Sequence, residues 1–267
     1  MARSAARPTP TPATTRRRTL VALATLGVLV LVVAAGVLYR LTSASAPTPG
    51  LAPEGDWDVA AQHALAAAPM PVLPGAAAQP QPLATAGAGE PIVLPAASGS
   101  PVEGWIPAEF PATPQGALAQ VVALWEAALV GADPAVLERA YRALSLPGAP
   151  DPAAAVPHRA VVALRAGAGL PATGTVSDLH VDFAITHGLV KGSTDEGRYA
   201  VVCVLGELSV SYHAHAARGG LGDCQALRFS GSGWRISPTP LPAVAPHAWP
   251  GSQFAVIAGY REVVRDA

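Results

Sequence analysis

Histidines and carboxylates at alternating positions are the residues of this chain that most resemble a chemical site. His213 and His215 stand two positions apart, as do His180 and Asp182 in an earlier segment. Residues two apart on a β-strand project from the same face, and imidazole and carboxylate groups are common ligands of zinc. If the two segments form neighbouring strands, four metal ligands would lie together. The polar face of any strand carries such side chains, however, so we expect neither a metal nor another cofactor.

The acids within the predicted strands are Asp178, Asp182 and Glu207. A carboxylate that works as a general acid or base needs a second group to which it passes the proton. The sequence pairs none of these acids with a recognisable base or oxyanion donor, and it contains no GxSxG, HExxH or CxxC motif. We therefore predict that the protein is not an enzyme and has no catalytic residue.

The two cysteines, Cys203 and Cys224, give two opposing arguments. A domain outside the cytoplasm lies in a compartment where disulfides persist, which favours a Cys203–Cys224 bond. A hairpin turn at Gly219-Gly220 would instead place Cys224 opposite residue 215 or 216, about 40 Å along the strand from Cys203. A disulfide needs Cα atoms within about 7 Å, which would require a sharp bend near Gly206. The sequence favours the bond without deciding between the two arguments.

Charge divides the chain into three segments. The net charge of −1 gives no basic field, so the composition does not favour nucleic-acid binding. Residues 1–40 carry six arginines and no acid, whereas residues 41–103 carry five acids and no base. The remaining residues contain both signs, including Lys191, the only lysine of the chain.

The most apolar stretch predicts a membrane anchor. Residues 19–40 begin with 21 positions that carry no charge, enough for a helix to cross a hydrocarbon core of about 30 Å. Arg16, Arg17 and Arg18 precede this stretch, and only Arg40 follows it. The positive-inside rule then makes residues 1–18 a cytoplasmic tail and places the rest of the chain outside. A cleaved signal peptide is the alternative, but its apolar run is usually shorter, and Pro47 would follow the cut.

Residues 41–103 are interpreted as a disordered linker. They contain eleven prolines, and most of the other residues are Ala, Gly, Ser, Thr and Gln. Such a composition buries too little apolar surface to offset its ordering entropy. Two pieces depart from this pattern: a short helix is plausible from Trp57 to Leu65, and Ile92-Val93-Leu94 could lie against the domain.

Residues 104–267 are predicted to form one α+β domain. Thr113-Pro114 and Asp133-Pro134 each combine an N-cap side chain with proline at the first helical position. A third helix is expected near 158–166. Alternating strands follow, and the run Tyr199–Gly206 is apolar on both faces, as expected of a covered central strand. A last helix is expected near 251–264, so helices should pack on a curved antiparallel sheet.

This order of elements resembles the NTF2-like cone. In that fold, N-terminal helices precede a long bent strand pair and a closing hairpin, here ending in GSGWRI. The resemblance covers about residues 113–237. It implies a curved sheet that wraps around helices.

A basic N-terminus, one membrane helix, a linker and such a domain also resemble the bitopic assembly proteins of conjugative type IV secretion, the VirB8-like group. The segments IPAEFPATPQGALAQ, DCQALRF and HAWPGSQFAVIAGYREV look like those of single-pass membrane proteins of actinobacterial mobile elements. These resemblances imply a bitopic membrane protein whose external domain scaffolds or docks protein partners, including further copies of itself. A tethered ligand- or envelope-binding domain is the first alternative, and an NTF2-like enzyme is the second.

Overall fold

The computed structural model describes residues 57–231 and 233–266, and these form a mixed α+β unit with a curled sheet. The predicted tail 1–18 and membrane helix 19–40 lie outside the described residues. Within the described ranges, no helix combines the length and apolar character needed to cross a membrane.

Two helices of the domain begin where their capping residues predict. Helix α1 spans Val59–Ala67, α2 spans Pro114–Ala128, α3 spans Pro134–Ala143, α4 spans Val156–Gly167 and α5 spans Gln253–Ile257. The Thr113 hydroxyl accepts a hydrogen bond from the Gly116 amide at the start of α2. The Asp133 carboxylate accepts one from the Ala135 amide at the start of α3. These side chains satisfy main-chain donors that the first helical turn leaves free.

Six strands form one sheet within the described residues. They are β1 (Ile92–Leu94), β2 (Leu179–Thr194), β3 (Tyr199–Tyr212), β4 (His215–Ser230), β5 (Gly233–Ile236) and β6 (Arg261–Arg265). The spatial order is β1-β6-β2-β3-β4-β5, and every pair is antiparallel except β1 with β6. Strand β2 contains two register shifts, which bend a strand locally.

The sheet is covered on both faces. On its inner face, Ala200, Val202 and Val204 pack into a core with α2 and α3, and Trp125 lies at its centre with no exposed surface. On its outer face, Cys203 and Leu205 pack against residues from the C-terminal region. The prediction that Tyr199–Gly206 is central and covered is therefore confirmed.

The prediction of a disordered linker is wrong for residues 57–103. These residues contain α1 and β1, and their side chains take part in the cores on both faces. Composition suggested disorder because the segment has few apolar residues of its own. Some of those residues, including Trp57, Leu65 and Ala66, pack on the sheet, where β3 and β4 supply the rest of the apolar surface. Residues 41–56 lie outside the described part of the chain.

Two further predictions are corrected at the C-terminal end. The expected turn at Gly219-Gly220 lies inside β4, and the β3–β4 hairpin instead turns at His213 and Ala214. The expected helix 251–264 is only the five-residue α5, followed by strand β6. Strand β6 fills the gap between β1 and β2, and this pairing across the sheet overrides the local helical pattern.

Candidate functional site

The histidines and acids predicted as candidate ligands are spread over one end of the sheet. His180 and Asp182 lie opposite Ser211 and Ser209 on β2 and β3. His213 is in the hairpin turn, where its Nδ1 is 4.0 Å from an oxygen of Asp178, and both side chains are exposed. Within the described part of the chain, no group of three or more His, Cys, Asp or Glu side chains is arranged to hold a metal ion. The four-ligand cluster considered from the sequence is not assembled.

Glu207 makes ordinary surface contacts. Its Oε1 accepts hydrogen bonds from the Ser209 hydroxyl at 2.9 Å and from Arg218 at 3.2 Å. The Arg218 guanidinium also lies 5.6 Å from the ring of Trp249, within cation–π range. These contacts link β3 and β4 to the C-terminal segment, and they give Glu207 a structural partner.

Asp223 is a buried acid that sequence analysis missed. It lies on β4 with 2% of its surface exposed. One carboxylate oxygen accepts hydrogen bonds from the Trp125 indole at 2.9 Å and from the Gln225 amide at 2.8 Å. The other accepts a longer bond, 3.4 Å, from the Val156 amide at the start of α4. The only local signal in the sequence is an acid directly before Cys224, because the residues that bury Asp223 come from distant helices.

The burial of Asp223 changes its acidity. Loss of hydration raises the pKa of the Asp223 carboxyl to about 6, against the opposing effect of its hydrogen bonds and of nearby Arg159. Tyr141 donates a hydrogen bond to Gln225 at 3.3 Å, and burial raises the pKa of its hydroxyl. An acid with this pKa exchanges protons near neutral pH, which is the property required of a general acid or base.

Asp223 is nevertheless sealed from solvent. Trp125, Tyr141 and Gln225, which surround it, each have at most 1% of their surface exposed. A concavity in the described part of the chain is an open depression beside α3, away from Asp223; it is lined by Glu103, Ala135, Glu138, Arg139, Arg142 and Ala143. Binding of a substrate at Asp223 would therefore require the layers of the domain to separate.

A second polar network fixes α1 to the outer face. Arg228 donates hydrogen bonds from Nε and Nη2 to Oε1 of Gln62, and Gln62 donates from Nε2 to Asp195 at 2.7 Å. The ring of Trp57 is 4.9 Å from the guanidinium of Arg198 and 4.8 Å from that of Arg228. Lys191 donates from Nζ to the carbonyl oxygen of Ala66 at 2.9 Å, at the C-terminal end of α1. All of these partners lie more than 120 residues away from α1 along the chain.

Cys203 and Cys224 form a disulfide bond. They are directly opposite each other in the β3–β4 pair, with their Cα atoms 4.0 Å apart. The register argument against the bond was wrong because the hairpin turns six residues earlier than Gly219. Cys203 has no exposed surface and Cys224 has 6%, so the bond lies beneath the residues that cover the outer face.

Two arginines of the helices, Arg165 on α4 and Arg142 on α3, have different surroundings. Arg165 is 1% exposed and donates hydrogen bonds to the carbonyl oxygens of Ala132, Pro171 and Gly174. It is a structural residue that holds two loops together. Arg142 is exposed on α3, where it pairs with Glu138 at 3.2 Å.

The two edges of the sheet differ. Strand β5 is covered, because Ile236 exchanges main-chain hydrogen bonds with Leu144 and Leu146. Strand β1, at the other edge, is three residues long and is flanked by Pro91 and Pro95. On its exposed side, Val93 is paired with Val264 of β6, and their exposed fractions are 54% and 37%. These two valines form an apolar patch beside a strand edge, which we call the edge patch.

Comparisons of the chain with protein-family models, with curated proteins and with solved structures found no match. The candidate site therefore has to be interpreted from its own residues and geometry.

Proposed function

We propose that this chain is a single-pass membrane protein whose domain works outside the cytoplasm and docks protein partners. The observation that carries the proposal is the Cys203–Cys224 bond in the covered core. Disulfides of this structural kind persist in oxidising compartments and are rare in the cytosol. The arginine-flanked apolar run at 19–40 predicts the same orientation independently.

Docking is favoured over catalysis by the arrangement of polar and apolar groups. The one buried acid with a shifted pKa, among those that the structure describes, is enclosed by Trp125, Tyr141 and Gln225. A ligand-binding or catalytic site normally offers a deep concave pocket with convergent polar groups. The edge patch of Val93 and Val264 instead offers exposed apolar surface next to a strand edge, where an extended segment of a partner can bind by strand addition.

We propose that the domain folds as an NTF2-like cone. We also propose that the protein works in a conjugative or type IV secretion apparatus. Three features support the cone: α2, α3 and α4 precede strands β2 to β5, β2 bends at two register shifts, and β5 contains the buried Trp234. The proposed setting in a secretion apparatus rests on the sequence resemblance alone.

An alternative function is that of a tethered domain that binds an envelope ligand. The open depression beside Arg139 and Arg142 is the candidate surface for such a ligand.

Topology is tested with reporters fused to the C-terminus. We expect a reporter that requires an oxidising compartment to be active, and one that requires the cytoplasm to be inactive. The opposite result would refute the orientation. Alkylation of membrane-derived protein without reductant provides a second test, in which both cysteines should remain unlabelled.

Docking is tested by photo-crosslinking in the membrane of the native host. A photoreactive residue at Val93 should yield adducts with another protein, whereas the same residue at Val162 should not. Val162 is a matched control because it is a similarly exposed valine, 44% exposed, on α4. Equal yields at both positions would exclude the edge patch as the docking surface.

A further inference from the structure

The Cys203–Cys224 bond is inaccessible in the closed fold. Its cover consists of residues 69–78 and 243–260, which we call the outer cover. The contacts come from Met70, Leu73, Ala245, Ala248, Phe254, Ala255, Ala258 and Tyr260. Thiol–disulfide exchange requires a thiolate to reach a sulfur atom in line with the S–S bond. The outer cover must therefore move before any reagent can make or break this bond.

The outer cover buries smaller side chains than the inner layer does. Four of its eight contact residues are alanines, whose methyl groups bury little surface. The inner layer contributes Trp125, Leu118 and Tyr141, each at most 1% exposed. Regions with few buried apolar contacts open at a lower free energy than the core does.

The hydrogen bonds of the outer cover lie mostly within the cover. The Trp249 amide donates to Ala77, and the Tyr260 hydroxyl donates to Pro246, so both bonds lie within the cover itself. The first bond ties the two segments of the cover together and the second lies within the C-terminal segment, so neither need break when the cover lifts as a unit. Other contacts join the cover to its surroundings: the Gly222 amide of β4 donates to Nδ1 of His247 at 3.0 Å, the Ala243 amide donates to Ala66 of α1, and Arg218 of β4 lies over the Trp249 ring.

The C-terminal segment of the cover is held at both ends by strands. Strand β5 ends at Ile236 and β6 begins at Arg261, so the chain between them is not part of the sheet. Gly259 has φ of +88° next to Tyr260, in a conformation that glycine adopts without strain. Gly259 lets the backbone turn at the point where the cover joins β6.

We propose that the outer cover opens independently of the rest of the domain, and that this opening is the route by which the Cys203–Cys224 bond is made and broken. In the forming direction, the Cys224 thiolate attacks one sulfur of the disulfide of an extracytoplasmic oxidant; the S–S bond of the oxidant breaks, its other sulfur leaves as a thiolate, and a mixed disulfide forms. The Cys203 thiolate then attacks the Cys224 sulfur, the mixed disulfide breaks, and the sulfur of the oxidant that was bound to Cys224 leaves as a thiolate. The two cysteines lose two protons and two electrons, and the oxidant disulfide is reduced to two thiols.

The test measures reduction of the full-length oxidised protein in detergent micelles. Dithiothreitol is the probe, and free thiols are trapped with a maleimide and counted by mass over time. The rate is recorded for wild type, for Tyr260→Ala in the outer cover and for Tyr141→Ala in the inner layer. Tyr260 and Tyr141 are a matched pair, since each is a tyrosine 1% exposed whose hydroxyl makes a hydrogen bond.

We expect Tyr260→Ala to accelerate reduction about tenfold or more, and Tyr141→Ala to change the rate by no more than about twofold. Oxidation of the reduced chain by oxidised glutathione should show the same ranking. Acceleration by both variants in proportion to their loss of global stability would overturn the proposal, because the sulfur atoms would then be reached only by complete unfolding. Equal rates in all three proteins would also overturn it.

If either alanine variant fails to fold, Tyr260→Leu and Tyr141→Leu replace the pair. They keep an aliphatic side chain at each buried position and lose less packing than alanine does. The variant at Tyr260 should again be reduced faster than the variant at Tyr141, with a smaller ratio between the two rates. Faster reduction of the variant at Tyr141 would refute independent opening.

Discussion

Arg228 on β4 donates two hydrogen bonds to the side-chain oxygen of Gln62 on α1, across 166 residues of chain. Both residues are buried, with 3% and 0% of their surfaces exposed. Gln62 also donates to Asp195, so one amide group joins a buried cation to a carboxylate. This contact explains why a proline-rich segment is ordered against the sheet.

Replacement of Gln62 by leucine should destabilise the domain substantially. The variant keeps the volume of the side chain but leaves the Arg228 guanidinium without its acceptor, which should lower the free energy of unfolding by about 2–3 kcal/mol. Urea denaturation monitored by tryptophan fluorescence measures the change. Gln79→Leu, at an exposed position, is the control and should change stability by less than about 0.5 kcal/mol. Similar losses for both variants would contradict the assigned role of Gln62.

Asp223→Asn should alter the pH dependence of stability. Burial raises the pKa of the Asp223 carboxyl to about 6 from an ordinary value near 3.8, so the folded state binds this proton more tightly than the unfolded chain does. Protonated Asp223 therefore stabilises the folded state at low pH, and this stabilisation is lost as the pH rises through 6. As the pH rises from 4 to 7, the free energy of unfolding of the asparagine variant should increase by about 2 kcal/mol relative to that of wild type. Denaturation curves at four pH values test this, and a constant difference would refute it.

His247→Gln should show the opposite trend. Burial lowers the pKa of His247 from 6.5 to about 4, with a smaller effect from Arg159, so the folded state holds the neutral ring. The unfolded chain takes up a proton below pH 6.5 and the folded domain does not, so wild type loses stability on acidification. As the pH falls from 7 to 4, the free energy of unfolding of the glutamine variant should increase by about 3 kcal/mol relative to that of wild type. If the glutamine variant instead becomes less stable relative to wild type over that range, His247 is protonated in the folded state.

Removal of the disulfide should destabilise the domain without abolishing its sheet. The two cysteines are 21 residues apart, and a cross-link of that span constrains the unfolded chain by about 3 kcal/mol. The Cys203→Ala, Cys224→Ala double variant should lose about that amount in urea denaturation. Because both positions are buried, reduced wild-type protein is the control that separates the bond from the packing of its sulfur atoms. No difference between oxidised and reduced wild type would contradict a stabilising bond.

Local signals in the sequence determined several elements of the fold. Thr113-Pro114 and Asp133-Pro134 place the starts of α2 and α3, because capping and the fixed φ of proline act within one helical turn. The continuous apolar run from Tyr199 identifies the covered central strand, since a strand buried on both faces requires apolar residues at successive positions. The apolar run at 19–40 predicts the membrane anchor in the same local way, and that prediction stands on the sequence alone.

Only the tertiary structure decided how distant segments pair. Gly219-Gly220 has the composition of a turn but lies in β4, where the backbone near Ala248 leaves no space for a Cβ atom at Gly220. That register brings Cys203 opposite Cys224, and the burial of Asp223 follows from packing against α2 and α4. The partners of Gln62 lie more than 130 residues away. Composition within a segment cannot report such contacts, because their free energy comes from surfaces that the rest of the chain supplies.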